Sequence, residues 1–519
     1  MNLYQALRDG FPADLDTPAI DAEGALYSWR DLDRGSAMLA NWLARLDLPP
    51  GSRVAVHTDK SVEALLLYLA VLRAGLVYLP LNPAYQASEL AHFIGDAAPG
   101  AVVCAGRNFG WVSQLAFQRG VRWVFTLNDD RTGTLLDRAS QMSDAQQPVA
   151  REPGDLAAIL YTSGTTGRSK GAMLSHGNLL SNARTLKDYW DWRRSEPPNL
   201  APRERPSAGS DDVLLHALPI FHVHGLFIAS HGALLNGSKM IWFNKFDAAA
   251  VARRLPEATV FMGVPTLYVR LLQEKTLDTG CMRLFISGSA PLLTETWHAW
   301  QARTGHAILE RYGMSETLML TSNPCKPSDG ERLPGTVGPA LPGVGLRIVA
   351  DDGTPCGPDE IGHVQVRGPN VFSGYWQMPE KTAEEFTADG WFKTGDVGRI
   401  GPNGYLTLIG RSKDLIISGG FNVYPAEVEG FLNELPGVDE SAVIGVPHPD
   451  FGEAVVAVVT ARAGAQVDGD ACIQALKTRI AGFKVPKRVL TVAALPRNAM
   501  GKVQKNLLRA EHAGLFTAG

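Results

Sequence analysis

Tyr161-Thr-Ser-Gly-Thr-Thr-Gly-Arg-Ser-Lys-Gly171 follows the apolar run Leu156-Ala-Ala-Ile-Leu160, and helix-competent sequence resumes at Ser175-His-Gly-Asn-Leu-Leu180. The apolar run reads as a short buried strand. A strand opening into a loop of Gly, Ser and Thr is suited to oxyanions. Glycines let backbone N–H groups approach phosphate, hydroxyls add donors, and the cations Arg168 and Lys170 offset its charge. The stretch is not a Walker loop, because neither its glycine spacing nor the residue after Lys170 fits G-x-x-x-x-G-K-[ST]. Gly167-Arg-Ser169-Lys-Gly171 does fit the G-x-S-x-G elbow of serine hydrolases. That elbow places its serine on a sharp turn directly off a strand, whereas Ser169 lies nine residues past Leu160.

Upstream, Val54-Ala-Val-His57 and Ala101-Val-Val-Cys104 are short apolar strands, and Ser61 to Gly75 reads as a helix with Ser61 at its cap and Gly75 past its end. Strands alternating with helices predict a parallel sheet covered on both faces. Downstream, 193–210 is rich in proline and charge without periodicity and reads as an exposed loop. Asp212-Val-Leu-Leu-His-Ala-Leu-Pro-Ile-Phe-His222-Val-His224-Gly begins as a buried strand and ends on two histidines, which lack the acidic partner a metal site needs. Ala258–Pro265 and Arg283–Pro291 are strands ending in small residues. Open α/β sheets bind ligands at the carboxyl ends of their strands, so Ser287-Gly-Ser-Ala-Pro belongs at the site. Arg311-Tyr312-Gly313-Met314-Ser315-Glu316-Thr317 groups an aromatic face, a hydroxyl and a carboxylate, which suit adenine, phosphate and Mg²⁺. In Gly390–Gly398, Asp396 is an acceptor suited to ribose hydroxyls, and Gly410–Glu427 carries charges, an apolar strand and a Gly-Gly turn, the makings of a hinge.

Tyr161–Gly171 closely resembles the phosphate-binding loop of the adenylate-forming superfamily, which takes in acyl-CoA synthetases, luciferases and the adenylation domains of peptide synthetases. The later stretches, ending with Pro496-Arg-Asn-Ala-Met-Gly501-Lys502-Val-Gln-Lys505, resemble that family's other motifs in the family's order, over roughly residues 50–510. The pattern Tyr-Gly-x-Thr-Glu is met with Ser315 for Thr, which keeps the hydroxyl. The resemblance implies an α/β fold: a large N-terminal domain, 1–410, of doubly wound sheets with a β-barrel-like subdomain, and a small mobile α+β C-terminal domain, 411–519, hinged near 412–414. It implies ATP, Mg²⁺ and coenzyme A, with an acyl-adenylate formed first and a thioester second. It assigns the phosphates to Thr162, Ser163, Gly164, Thr165, Thr166, Gly167, Arg168 and Lys170, and the nucleotide to Gly288, Ser289, Ala290, Tyr312, Gly313 and Ser315. Mg²⁺ goes to Glu316, the ribose to Asp396 and Arg411, the coenzyme A face to Gly419 and Gly420, and Lys502 bridges carboxylate and α-phosphate. Thr166, Lys170, Glu316 and Lys502 are the expected catalytic residues. His222, Val223, Ser287 and Met314 are expected at the acyl group.

Within the superfamily the motifs resemble most those of members that activate malonate, so malonate or methylmalonate is the expected acid. The pocket is polar, with His222, His224, Ser287 and Ser289, and Arg168 and Arg283 are cations that a second substrate carboxylate would satisfy. The alternative for Arg283 is a pair with an internal acid at the start of its strand. Alternatives for the whole chain are a short-chain, medium-chain or aryl acyl-CoA ligase, or a hydrolase built on Ser169.

Composition agrees with a globular enzyme: 519 residues, 45% hydrophobic, 20% charged, net charge -4. Nothing in that balance suggests a nucleic-acid partner. Five scattered cysteines without metal-ligand spacing and no run of membrane-helix length predict a cytoplasmic protein with free thiols and no membrane partner. From Lys477 onward there are nine Lys/Arg against the single acid Glu511, a cationic lid for ATP or coenzyme A phosphates. Acetylation of Lys502 would remove its charge and is expected to switch the protein off.

Overall fold

The computed structural model describes residues 1–162, 169–194, 211–418, 421–498 and 501–516. By compactness the chain forms two units, one of residues 1–345 and 367–392, the other of 346–366 and 393–519.

The first unit carries two sheets. The six-stranded sheet runs, in order, Trp123–Thr126, Ala101–Cys104, Arg53–His57, Val77–Pro80, Leu156–Thr162, Lys170–Ser175. Its pairs are parallel except the last, where Leu156–Thr162 and Lys170–Ser175 are antiparallel. The expected strands at Val54–His57 and Ala101–Cys104 are therefore its centre. The Gly/Ser/Thr stretch does not lead straight from strand to helix, as the sequence suggested. It joins two antiparallel strands, and Lys170 already belongs to the second, paired in register with Thr162. The helix His176–Tyr189 follows, with Ser175 as its cap. Ser169 thus precedes a strand rather than a helix, which removes the hydrolase elbow.

The helix Val62–Arg73 is capped by Ser61, which accepts from Ala64 N, and is buried along its whole length. Leu, Val, Ala and Tyr all round its circumference explain that: such a helix has no face for water. Tyr68 on it hydrogen-bonds His231 across 2.7 Å, which ties it to the helix His231–Asn236.

The eight-stranded sheet runs Leu318–Ser322, Leu309–Met314, Leu284–Ser287, Val260–Gly263, Val213–His216, Lys239–Trp242, Pro18–Ala22, Ala25–Ser28. It is parallel through its middle and antiparallel at both edges. The carboxyl ends of its parallel strands bring His216, Gly263, Ser287 and Met314 to one side.

The second unit holds a four-stranded sheet, Gly345–Val349, Gly362–Arg367, Phe392–Ile400, Leu406–Arg411, and a second sheet around the long hairpin Val438–His448 and Gly452–Ala461. The helices Pro425–Asn433 and Gly469–Lys477 pack on one face of that hairpin through Val428, Leu432, Cys472 and Leu476. The helix Lys505–His512 covers the other through Leu508, against Ala442, Ile444 and Val456. The boundary expected at 410/411 falls inside this unit, between its two sheets. The strands expected as part of the large domain are grouped by compactness with the C-terminal residues instead.

Candidate active site

Six residues assigned to phosphate, Ser163, Gly164, Thr165, Thr166, Gly167 and Arg168, lie outside the described residues, as do Gly419, Gly420 and most of the 193–210 loop. The residues flanking the phosphate loop are described, and they converge on Glu316. Thr162 Oγ1 donates to Glu316 Oε1 at 3.4 Å and Tyr375 Oη donates to the same oxygen at 3.0 Å. Lys170 Nζ stands over the Tyr375 ring, 4.4 Å from its centroid, and pairs with Glu385 at 3.4 Å. All three of Lys170, Glu316 and Tyr375 are buried. Among the described residues no cluster of His, Cys, Asp and Glu could hold a metal on its own. One buried carboxylate beside hydroxyls is nonetheless the donor set that suits Mg²⁺, which takes one or two carboxylates and fills its shell with phosphate oxygens and water.

The turns at Gly288 and Gly313 are built by close approach. Gly288 follows the strand Leu284–Ser287, and a Cβ there would lie 2.5 Å from the Arg311 guanidinium carbon. A Cβ at Gly313 would meet the Leu318 carbonyl oxygen at 1.9 Å, so the hairpin joining Leu309–Met314 to Leu318–Ser322 closes only over glycine. Ser289 sits at φ 72, a left-handed conformation uncommon outside glycine and concentrated at functional sites. Tyr312 is buried, with Met314 and Ser315 half-buried beside it.

Near His224 stands a buried guanidinium. Arg311 is buried, and its Nε and Nη2 have no hydrogen-bond partner among the described residues. Burial pushes its pKa down to about 9, which still leaves it charged at neutral pH. Ser287 Oγ and His224 Nε2 are likewise buried and without partners. His224 Nδ1 lies 3.3 Å from Ser289 Oγ. Burial, then the charge of Arg311, holds the imidazole well below its ordinary pKa, so it is neutral. Its place is fixed from behind. Lys60 Nζ contacts His216 Nδ1 at 2.9 Å and donates to the carbonyls of His216 and Phe243 at 2.9 and 2.7 Å. As Lys60 donates, the other ring nitrogen of His216 carries the proton and meets Gly225 O at 2.9 Å, at the start of the π-helical turn His224–Ser230. Val223 is buried just before that turn and His222 half-buried, its Nδ1 3.4 Å from His224 N.

Arg283, expected at the substrate, is not there. Its Nε and Nη2 bond both oxygens of Asp212 at 2.8 and 2.5 Å, and it also donates to the carbonyls of Trp190 and Asp191. The Asp212 side chain is 0% exposed, so this pair is internal and complete. The reason is positional: Arg283 and Asp212 stand at the amino ends of their strands, and ligands gather at the carboxyl ends. Arg311 carries no signal of its own in the motif Arg311–Thr317; it is the third residue of Leu309–Met314, one past the Ser287–Glu310 pair that ends the parallel register.

In the second unit Asp396 and Arg411 are opposite each other in register and joined at 3.0 Å, with Asp396 buried. Lys502 lies among Arg411, Asp396, Lys413 and Asp414. The residue is exposed, yet desolvation around its amine, then repulsion from Arg411, pulls its pKa down to about 8. A tight turn presents it: Lys502 N donates to Asn498 Oδ1 at 3.0 Å and Asn498 N to Lys502 O at 2.9 Å, with Gly501 at φ 73. At the expected hinge, Ser412–Asp414 forms a single helical turn, and Arg509 from the last helix donates to the carbonyls of Lys413 and Asp414.

The AMP-binding enzyme model matches residues 12–376, and the model of the AMP-binding enzyme C-terminal domain matches residues 427–502. The chain is 32% identical to a malonate–CoA ligase of Arabidopsis thaliana, over 98% of this chain and 88% of the relative. It is 34% identical to a feruloyl-CoA synthase of Amycolatopsis, over 95% of each. Among solved structures, ATP-bound MatB from Rhodopseudomonas palustris is similar at TM-score 0.93 and 51% identity, covering 99% of both chains.

Proposed function

We propose, from the premise that this chain belongs to the AMP-binding enzyme family, that it is an ATP-dependent ligase joining malonate to coenzyme A through malonyl-adenylate. The observation that carries the choice of acid is Arg311, a buried guanidinium whose Nε and Nη2 lack a partner among the described residues and which lies against Gly288, with its charge felt at His224. A dicarboxylate satisfies it with one end and reacts at the other. An aryl acid, as for the feruloyl relative, would leave the charge unpaired, and that mismatch is costly.

In the first step a malonate carboxylate oxygen attacks the α-phosphorus of ATP, and the bond to the β-phosphate bridging oxygen breaks, releasing pyrophosphate. Carboxylate and polyphosphate repel one another, so the chain must place positive charge where they meet. Lys502 takes that task at the α-phosphate, and Lys170 with Thr162 holds the departing phosphates. Mg²⁺, held at Glu316 when bound, supplies charge neutralisation to the pyrophosphate. Asp396 and Arg411 orient the ribose, and the backbone of Gly288, Ser289 and Ala290 lies along the nucleotide. In the second step the coenzyme A sulfur attacks the acyl carbon, the carbon–oxygen bond to AMP breaks, and AMP leaves as a stable anion that needs no lysine. Hinge rotation near 412–414 exchanges Lys502 for the Gly419-Gly420 face between the steps.

The test is acid-dependent exchange of pyrophosphate into ATP with malonate, methylmalonate, acetate, octanoate and 4-coumarate. Malonate-dependent exchange is expected. Exchange with octanoate or coumarate alone would keep the ligase and discard the acid. Acetylation of Lys502 removes the charge the first step needs and so would switch the enzyme off, which exchange assays before and after enzymatic acetylation read directly. No helix among the described residues is long and apolar enough to cross a membrane. Five free thiols favour a cytoplasmic location.

A further inference from the structure

Residues 371–376 lie along the strand Lys170–Ser175. Ser373 N donates to Met173 O, Met173 N to Gly374 O, and Trp376 N to Gly171 O at 2.7 Å, while Ala172 and Tyr375 form a bridge. Trp376 is pinned in turn: its Nε1 donates to Asp96 O at 3.1 Å and its ring carries the Arg53 guanidinium at 4.9 Å. Tyr375 N donates to Thr382 Oγ1 at 2.9 Å. Backbone pairing therefore sets where the Tyr375 phenol stands, independently of what the phenol touches.

Among the groups it touches are two opposite charges. The ring face carries Lys170 Nζ and the hydroxyl donates to Glu316. Among the described residues the ion-pair partner of Lys170 is Glu385, itself shared with Lys381 at 3.2 Å, and not Glu316. Both charged side chains meet one phenol whose place the backbone sets. We propose that Tyr375 is a positioning residue for magnesium-ATP. Its ring fixes where Lys170 stands, beside its partner Glu385, and its hydroxyl fixes the Glu316 carboxylate, so that phosphate and metal respectively meet each in a set place. The inference rests on the assignment of Glu316 to Mg²⁺ and Lys170 to phosphate, and adds the residue that positions both.

The experiment is calorimetric titration of ATP, with and without Mg²⁺ and without acid, into wild type, Tyr375→Phe, Glu316→Gln and the double variant. Tyr375→Phe keeps the ring and its packing and removes one hydrogen bond to a charged group. MgATP binding is expected to weaken about tenfold, while metal-free ATP binds within about twofold of wild type. The half-saturating Mg²⁺ for pyrophosphate exchange should rise and the malonate KM stay unchanged. In the Glu316→Gln background the Tyr375 change should add nothing. Normal MgATP binding by Tyr375→Phe, with Glu316→Gln impaired, overturns the inference alone, as do additive effects in the double variant. Normal MgATP binding by Glu316→Gln overturns the assignment of Glu316, and the inference with it.

Discussion

Replacing Arg311 by methionine should convert a malonate enzyme into one that no longer distinguishes malonate from acetate. The guanidinium offers two buried N–H groups without partners among the described residues, Nε and Nη2, in the forked geometry that matches a carboxylate. Each hydrogen bond to a charged partner is worth about 1.5–3 kcal/mol, so the pair supplies about 3–6 kcal/mol, or a factor of about 10²–10⁴ in kcat/KM. Malonate should lose that factor in Arg311→Met. Acetate has nothing to give the guanidinium, so it should be unchanged or improved, because its methyl then meets an apolar neighbour. Arg311→Lys keeps the charge but not the fork and should fall between. The assay is pyrophosphate exchange with the two acids at limiting concentration, with MgATP binding as the control for an intact nucleotide site. A malonate-to-acetate preference within tenfold of wild type in Arg311→Met would refute the placement of the distal carboxylate.

Arg283→Met should leave that preference untouched but lower the thermal midpoint, since stranding the buried Asp212 carboxylate costs about 3–5 kcal/mol; calorimetry with the same exchange assay separates the two. Lys502→Ala should abolish exchange yet spare thioester formation from supplied malonyl-adenylate, and equal loss of both half-reactions would count against its role. Because the Lys502 pKa is pulled down to about 8 and the first step needs the charged amine, kcat/KM for exchange should fall as pH rises through that value, and Lys502→Arg should remove the fall. Burial pushes the Glu310 carboxyl up to about 8 from 4.5, so the native state keeps a proton that the unfolded chain releases, and stability drops as pH rises through that window. Glu310→Gln does not titrate, so its gain in thermal midpoint over wild type should widen from pH 5 to pH 8.

Local chemistry made much of this site legible. The cap at Ser61 and the small residues after Ser287 each follow from a backbone requirement that sequence displays directly. The hairpin around the phosphate loop was hidden because Gly171-Ala-Met-Leu174 is a short apolar run, which does not announce its strand partner or direction. Tyr375 and Glu385 carry no spacing signal toward Lys170, about 200 residues earlier; only the pairing of 371–376 on the strand Lys170–Ser175 brings them there. The grouping of 346–366 with the C-terminal residues is likewise tertiary. Arg283 misled because a buried arginine is informative only with its partners in view.

That contrast separates structural from functional charge in this sheet. Arg283 and Arg311 stand in neighbouring segments, with Leu284–Ser287 paired in parallel to Leu309–Met314, and both are shielded from water. One meets a carboxylate of its own chain at the amino ends of the strands; the other, past the Ser287–Glu310 pair, has buried N–H groups with none among the described residues. Taking an ion out of water costs several kcal/mol unless it is paired. Folding alone offers no return for Arg311, whereas a ligand anion would supply one in every catalytic cycle. A fatty or aromatic acyl chain could fill the same space but would leave the cost standing. The buried guanidinium, with Nε and Nη2 lacking partners among the described residues, is therefore a stronger statement about the acid than the polarity of the pocket around it, and a second carboxylate on the acid is what would pair it.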